Sequence, residues 1–194
     1  RSGNIDCILG ALPEEVPDFV FHSLSLGLDQ STFYTRSGNP WTYHSPSQLS
    51  NIRLGVIGGY SYDQGAVDEH IAMAIRDGSP GSRVQLMKGD NALEKNLQKL
   101  LSGRIDAIVG SATVVNYTVA TLGMEGAVQP AGNIGVADEL YIACSPATPD
   151  KSETYTRQLD TGIRRLRESG RLAEILERYG LQDWSSETPR NLDM

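Results

Sequence analysis

The sequence predicts an α/β protein of two lobes, each built on a crossover unit and linked by two extended segments. Three observations carry this reading. Residues 2–10 (SGNIDCILG) and residues 102–110 (SGRIDAIVG) agree at six of nine positions. Residues 53–110 alternate short apolar strands with amphipathic helices, the βαβαβ order of a parallel-sheet lobe. Two β-rich stretches, Ser31–Arg36 and the LYIACS run from Leu140, flank that middle region as a two-strand hinge.

The second copy of the repeat explains itself in context. Leu93, Leu97, Leu100 and Leu101 fall on one helical stripe. Asp90 or Asn91 caps its start, with Asn91 and Glu94 spaced as a capping box. Gly103 ends the helix in the C′ position, and IDAIVG follows as a continuously apolar, buried parallel strand. The phrase thus means helix, stop, buried strand, the second half of a crossover. The first copy is expected to mean the same, with the helix that would precede it not represented, so that lobe 1 is incomplete in this chain. The start at Arg1 rather than Met is expected of a trimmed or processed chain.

The other elements follow the same signals. Residues 53–57 form an apolar strand broken by Gly58 and Gly59; a helix follows with Val67, Ile71 and Ile75 on one face, ending near Gly78; RVQLM, residues 83–87, is a strand. TVVNYTVATLG is a helix closed by Gly123, and AVQPAGNIGVADE is a loop broken by Gly and Pro. The chain closes with two helices separated by Gly170, lined by Leu159, Ile163 and Leu166 and then by Leu172, Ile175, Leu176 and Tyr179.

Composition narrows the function. Apolar residues at 39% and charged residues at 21% suit an ordinary globular chain with room for one domain or two small ones. A net charge of -7 argues against nucleic acid as a partner, and the arginines of RQLDTGIRRLRESGR alternate with acids as on a solvated helix face. His22, His44 and His70 lack partners at metal-ligand spacing, so neither metal nor other cofactor is expected. Cys7 and Cys144 sit in apolar strand-like runs, where a small buried thiol is the expected state. A Cys7–Cys144 disulfide is the alternative and needs an oxidising compartment.

The phrases NIDCILGALPEE…FVFHSLSLG, LSNIRLGVIGGYSYD, GDNALEKNLQKLLSGRIDAIVGS, ELYIACSP and LDTGIRRLRESGRLAEILERYG, in that order, resemble the extracellular solute-binding proteins of family 3, the polar amino-acid-binding type. The resemblance implies a type II periplasmic binding protein fold. Lobe 1 is expected at 1–36 and 140–194 and lobe 2 at 37–139. It also implies a non-catalytic, monomeric protein, periplasmic or extracellular, made with a signal peptide, that captures a small polar ligand, amino-acid-like or another small organic anion, between its two lobes for the membrane permease of an ABC-type transporter. A ligand-sensing module of a receptor is the alternative; a cyclic-acid dehydratase of the same fold is a third reading, for which Glu14 is the one acid available. Two departures from the family pattern stand out. Residues 13–17 (PEEVP) hold no arginine where a carboxylate clamp is usual, and Gly110, Ser111 and Ala112 replace an acid that holds the ligand ammonium.

Candidate ligand contacts follow from strand ends. Gly59, Tyr60, Ser61 and Tyr62 lie where a parallel strand opens into a helix: backbone N–H groups and the Ser61 hydroxyl suit an anion, and the tyrosines suit stacking. Asp90 and Asn91 cap the helix of the second repeat, and Ser111 and Thr113 stand at its strand end. Glu14, at the vacated clamp position, suits a cationic or hydroxyl-rich ligand, and Ser23 joins it from FHSLSLG. Tyr34 and Tyr141, in the linking strands, are expected to pack.

Overall fold

The computed structural model describes residues 5–76 and 83–184. Ser2 and Gly3 of the first repeat, and the helix end expected near Gly78, lie outside the described residues. The chain forms two compact units. One holds the described residues up to Asp29 and those from Asp138 onward; the other is Gln30–Ala137.

The first unit contains β1 (Cys7–Ala11), β2 (Val20–Phe21) and β3 (Gly27–Asp29). The second contains β4 (Ser31–Arg36), β5 (Leu54–Ile57), α1 (Ala66–Arg76), β6 (Val84–Met87), α2 (Ala92–Leu101), β7 (Ala107–Ser111), α3 (Ala112–Thr121) and β8 (Val128–Asn133). β9 (Asp138–Cys144), α4 (Pro149–Glu168) and α5 (Arg171–Glu177) return to the first unit.

The second unit's sheet has the order β6-β5-β7-β4-β8. β5 pairs in parallel with both β6 and β7, so the expected crossover lobe forms from 54 to 111. β7 is parallel on one edge only, since β4 runs antiparallel along the other. That β4 is an inner strand differs from the expected linker. Thr32, Phe33, Tyr34 and Thr35 are all buried, a run that a two-sided interior position requires. The crossings between units therefore fall at 29–30 and 137–138.

α2 packs where its leucines direct it. Leu97 and Leu100 are fully buried against Ile105, Ile108 and Tyr34, and removing either side chain to Ala costs about 2–5 kcal/mol in such a site. The buried face also takes Ala92 and Asn96, while Leu93 and Leu101 are half-buried at its margin. Asn96 donates to the Val56 carbonyl, and Gly55 leaves room for it, because a Cβ there would lie 3.1 Å from Asn96 Oδ1 and 2.5 Å from Ile105 Cδ1. The helix ends as its glycine predicts. Gly103, at φ +71°, donates to the Leu100 carbonyl and Arg104 to the Lys99 carbonyl, the paired bonds of a Schellman motif. The capping box does not form: Asn91 holds the N-cap position but its side chain makes no capping hydrogen bond. α1 buries Val67 and Ile71, while Ile75 stays 42% exposed.

Residues 128–133, expected as loop, form the edge strand β8 against β4. An edge has no ladder bond on its outer side, so Pro130 is tolerated there. The register shifts between Thr32 and Tyr34, and Gly132 sits in that bulge at φ +111°. A Cβ on Gly132 would lie 2.6 Å from the Tyr43 carbonyl oxygen.

In the first unit, β1, β2 and β3 each pair antiparallel with β9. The first repeat is a strand, as expected, but not a buried one: Leu9 is 78% exposed. The two repeats lie in separate sheets. The buried-thiol expectation is corrected: Cys7 and Cys144 face each other across the β1–β9 register and are joined in a disulfide, and no free cysteine remains. α4 begins at Pro149, earlier than its leucine stripe suggests, and buries Ser152, Thr156 and Ile163, with Leu159 half-buried and Leu166 37% exposed. Leu176 alone of the α5 stripe is buried, and Tyr179 is exposed. After α5, Asp183 accepts two bonds from Arg167, and Trp184 Nε1 donates to Ser25 Oγ at 2.8 Å, tying the chain's return to the β2–β3 loop.

Candidate ligand-binding site

In the second unit the segment from Ile57 to Asp68 carries the densest polar network. β5 ends at Ile57, Gly58 donates to the Met87 carbonyl, and Gly59 turns the chain at φ +89°. The loop then folds around its own carboxylates. Asp68 Oδ2 accepts from Ser61 Oγ at 2.6 Å and from the backbone N–H groups of Tyr62, Asp63 and Gln64 at 3.0, 3.2 and 2.9 Å. Asp63 in turn accepts from the N–H group of Gly65, just ahead of α1, and from those of Val67 and Asp68 in its first turn. Gln64 is held at φ +50° between the two acids.

This arrangement corrects one expectation. The Ser61 hydroxyl and the Tyr62 and Asp63 N–H groups of GGYSYD do not point outward to an external anion; they converge on Asp68. A helix N-terminus favours negative charge, and here the chain supplies it. An incoming carboxylate at Ser61 must displace Asp68 and its charge-assisted bonds.

The two tyrosines part company. Tyr60 is 66% exposed and can cover a ligand, whereas Tyr62 is 8% exposed and belongs to the core with Val56, Val67 and Ile71. The Tyr62 hydroxyl accepts the Ile57 N–H at 2.9 Å. Burial pushes its pKa up to about 12. The expected stacking role for Tyr62 is thereby corrected: its ring fills the space under the loop. Beside Tyr60 lies an open groove of 520 Å³, walled by Ile57, Ile71, Ile75 and Leu86 and reached by Ser61 and Glu69.

The remaining candidates of this unit divide between helix ends and open surface. Ser111 is the N-cap of α3, its hydroxyl accepting the Val114 N–H. Thr113, in the first turn, is half-buried. Asp90 and Asn91 are exposed ahead of α2. Tyr34 packs as expected, its hydroxyl donating to Asn116 Oδ1.

In the first unit, Glu14 is exposed in the loop after β1 and forms part of an acidic group. Asp29 and Asp138 are directly opposed in the β3–β9 register. Burial, then the nearby Glu14, Asp29 and Glu15, raise the Asp138 pKa above its ordinary value. Ser23 is used through its backbone: the N–H groups of Ser23 and Leu24 donate to Asp160 of α4. Beneath them His22 is buried, and its Nε2 accepts the Ile142 N–H at 2.8 Å. Its Nδ1, with no hydrogen-bond partner, lies 3.9 Å from Asp160 Oδ1. Burial lowers the His22 pKa below 6.5. Tyr141 packs edge-on to Phe21 beside it.

Solved structures share this architecture. An ancestral arginine-binding protein bound to glutamine matches with a TM-score of 0.63 and 20% identity over 92% of this chain and 72% of its own. The fold is that of the periplasmic binding proteins. The amino acid ABC transporter substrate-binding protein AbpA from Streptococcus pneumoniae, bound to L-arginine, matches with a TM-score of 0.61 and 20% identity over 92% of this chain and 69% of its own. A histidine kinase sensor domain with similarity to periplasmic binding proteins gives 0.63 and 15%, over 94% and 73%. No family model matches the chain, and no curated protein matches it in sequence.

The sequence reading missed Asp68 and Asp160, the two carboxylates that organise these loops. A signal for Asp68 existed: it lies in the first turn of a helix that follows a run of small and polar residues. Asp160 gave none, because the amides it binds are 137 and 136 residues away.

Proposed function

We propose that the chain is a non-catalytic solute-binding protein that acts outside the cytoplasm and delivers a small polar ligand to an ABC-type transporter. The fold likeness carries this reading: over 92% of the chain it follows binding proteins solved with glutamine or arginine. The Cys7–Cys144 disulfide supports an oxidising compartment. Among the described residues no helix is long and apolar enough to cross a membrane.

The chemistry of the two loop regions narrows the ligand. Both departures from the family pattern remove charged partners for an α-amino acid, and the structure adds Asp68 at the position where a carboxylate would dock. The second unit offers the exposed Tyr60 and Glu69, and the first unit, taken by itself, offers Glu14 and the acids around Asp138. They suit a cationic or hydroxyl-rich solute better than an organic anion, with Tyr60 available as a cation–π face. Calorimetry against putrescine, cadaverine, spermidine, glutamate and malate tests both levels. Heat from the amines and none from the dicarboxylates is the expected result. The reverse pattern overturns the ligand class, and silence across a wide metabolite panel overturns the binding function.

A second reading is a sensor, favoured by the likeness to a histidine kinase sensor domain. The domains encoded beside this one in the gene decide between them.

A further inference from the structure

The apolar stripe of α1 is only partly covered by the sheet beneath it. Val67, Ile71 and Ile75 lie on successive turns of one helix face, yet they are 0%, 8% and 42% exposed in that order. The same opening shows on β6, an edge strand of its sheet. Val84 is 7% and Leu86 37% exposed, and the two point to one face, the face that α1 covers, because Val84 shares a cluster with Val67 and Ile71. The 520 Å³ groove beside Tyr60 occupies this gap and changes character along α1. Tyr60, Gln64, Asp68 and Glu69 meet it at the first turn; Ala72, Ile75 and Leu86 line the rest. Asp68 is taken up by the loop amides, whereas no hydrogen bond or ion pair engages the exposed Glu69 carboxylate among the described residues. The carboxylates of Asp63, Asp68 and Glu69 gather at this end against the ammonium of Lys88, whose stem lies beside Gly58. No lysine or arginine lines the groove itself.

We propose that this groove binds a primary aliphatic amine, a single ammonium at one end of an unbranched hydrocarbon tail. The ammonium pairs with Glu69 at the first turn of α1, within reach of the Tyr60 ring. The tail runs down the helix over Ile71 and Ile75 and against Leu86. From Glu69 to Ile75 the helix rises about 9 Å, which sets the tail length that still gains contact. The charged end rests on the cationic-ligand reading above, and the tail selects within that class. A diamine of the same length would lay its second ammonium against Ile75 and Leu86, where the lining is apolar, and is the poorer ligand. A sugar would leave hydroxyls unpaired against the same wall, and a dicarboxylate would meet the acids at the mouth.

The test titrates the 194-residue chain with butylamine, pentylamine, hexylamine, hexanol and hexamethylenediamine, and follows the isoleucine methyl signals by NMR. Affinity is expected to rise by about two- to fourfold for each methylene added from butylamine to hexylamine. Hexylamine is expected to bind about threefold or more tightly than hexanol, and more tightly than hexamethylenediamine. The Ile57, Ile71 and Ile75 signals are expected to shift, and that of Ile105, in the cluster on the other face of the sheet, to stay in place. Ile75→Gln, at an exposed position, is expected to erase the gain from butylamine to hexylamine; Glu69→Gln is expected to weaken every amine by about threefold and to keep that gain. A flat series with heat from putrescine overturns the groove and leaves the cationic-ligand reading in place. Hexanol binding as tightly as hexylamine overturns the ammonium end and that reading with it. Binding that leaves the three isoleucine signals unmoved, or an Ile75→Gln variant that retains the gain, overturns the proposal alone. No binding of any amine overturns both.

Discussion

Breaking the Cys7–Cys144 disulfide is expected to weaken the first unit far more than the loss of two small side chains implies. The bond closes a loop of 137 residues that contains the whole second unit. In the chain-entropy account a loop of that length stabilises the folded state by about 5 kcal/mol if both units unfold together. If the second unit stays folded while the first opens, only roughly 30 residues of the loop gain freedom and the figure falls to about 3.6 kcal/mol. The two tryptophans allow the distinction, because Trp41 lies in the second unit and Trp184 in the first. A Trp41→Phe background leaves Trp184 reporting the first unit. Urea unfolding of Cys7→Ser/Cys144→Ser in that background is expected to show a loss of about 3.6–5 kcal/mol. A loss below about 1 kcal/mol refutes the reasoning, since β1 would then be held by its ladder to β9 alone.

Four further outcomes are expected. Tyr62→Phe leaves the half-buried Ile57 N–H without its acceptor and is expected to cost about 1–3 kcal/mol in urea unfolding; an unchanged midpoint would show that the amide finds another partner. Asp68→Ala frees the Ser61 hydroxyl and three backbone N–H groups, so sulfate is expected to raise the melting temperature of the variant and not of the parent. For His22, whose folded pKa lies below 6.5, the unfolded chain binds the proton first as pH falls. Stability is therefore full above about pH 6.5 and declines below it until the folded pKa is reached, and His22→Gln is expected to flatten that slope in thermal scans. Asp138 has the opposite sense: its raised pKa means that ionisation is penalised above that value and relieved as pH falls. Asp138→Asn is expected to raise the melting temperature at pH 7 and to have little effect at pH 3.

The crossover lobe was legible because each of its signals is local. The leucine spacing of α2, the stop at Gly103 and the apolar run of β7 all act within a few residues, and the structure keeps them. β8 was hidden because Pro130 reads as a breaker unless the strand is known to be an edge, a property of the sheet rather than of the segment. β4 was visible as a strand but misplaced, since its buried Thr32 and Thr35 look like linker residues until β7 and β8 flank them. The site was half legible. Glycine and hydroxyl residues marked the loop at 58–62, yet its chemistry depends on Asp68 folding back over it. Tyr60 and Tyr62, two residues apart, carry the same chemistry in sequence; only the turn at Gly59 sends one outward and the other into the core.

The arrangement in which one unit interrupts the other sets a timetable for synthesis. Gln30–Ala137 contains every strand of its own five-stranded sheet and can close as soon as it leaves the ribosome. β1, β2 and β3 are made before it but must wait, because each of them pairs with β9. These strands thus find their places after the second unit, and Cys7 has no disulfide partner until Cys144 emerges.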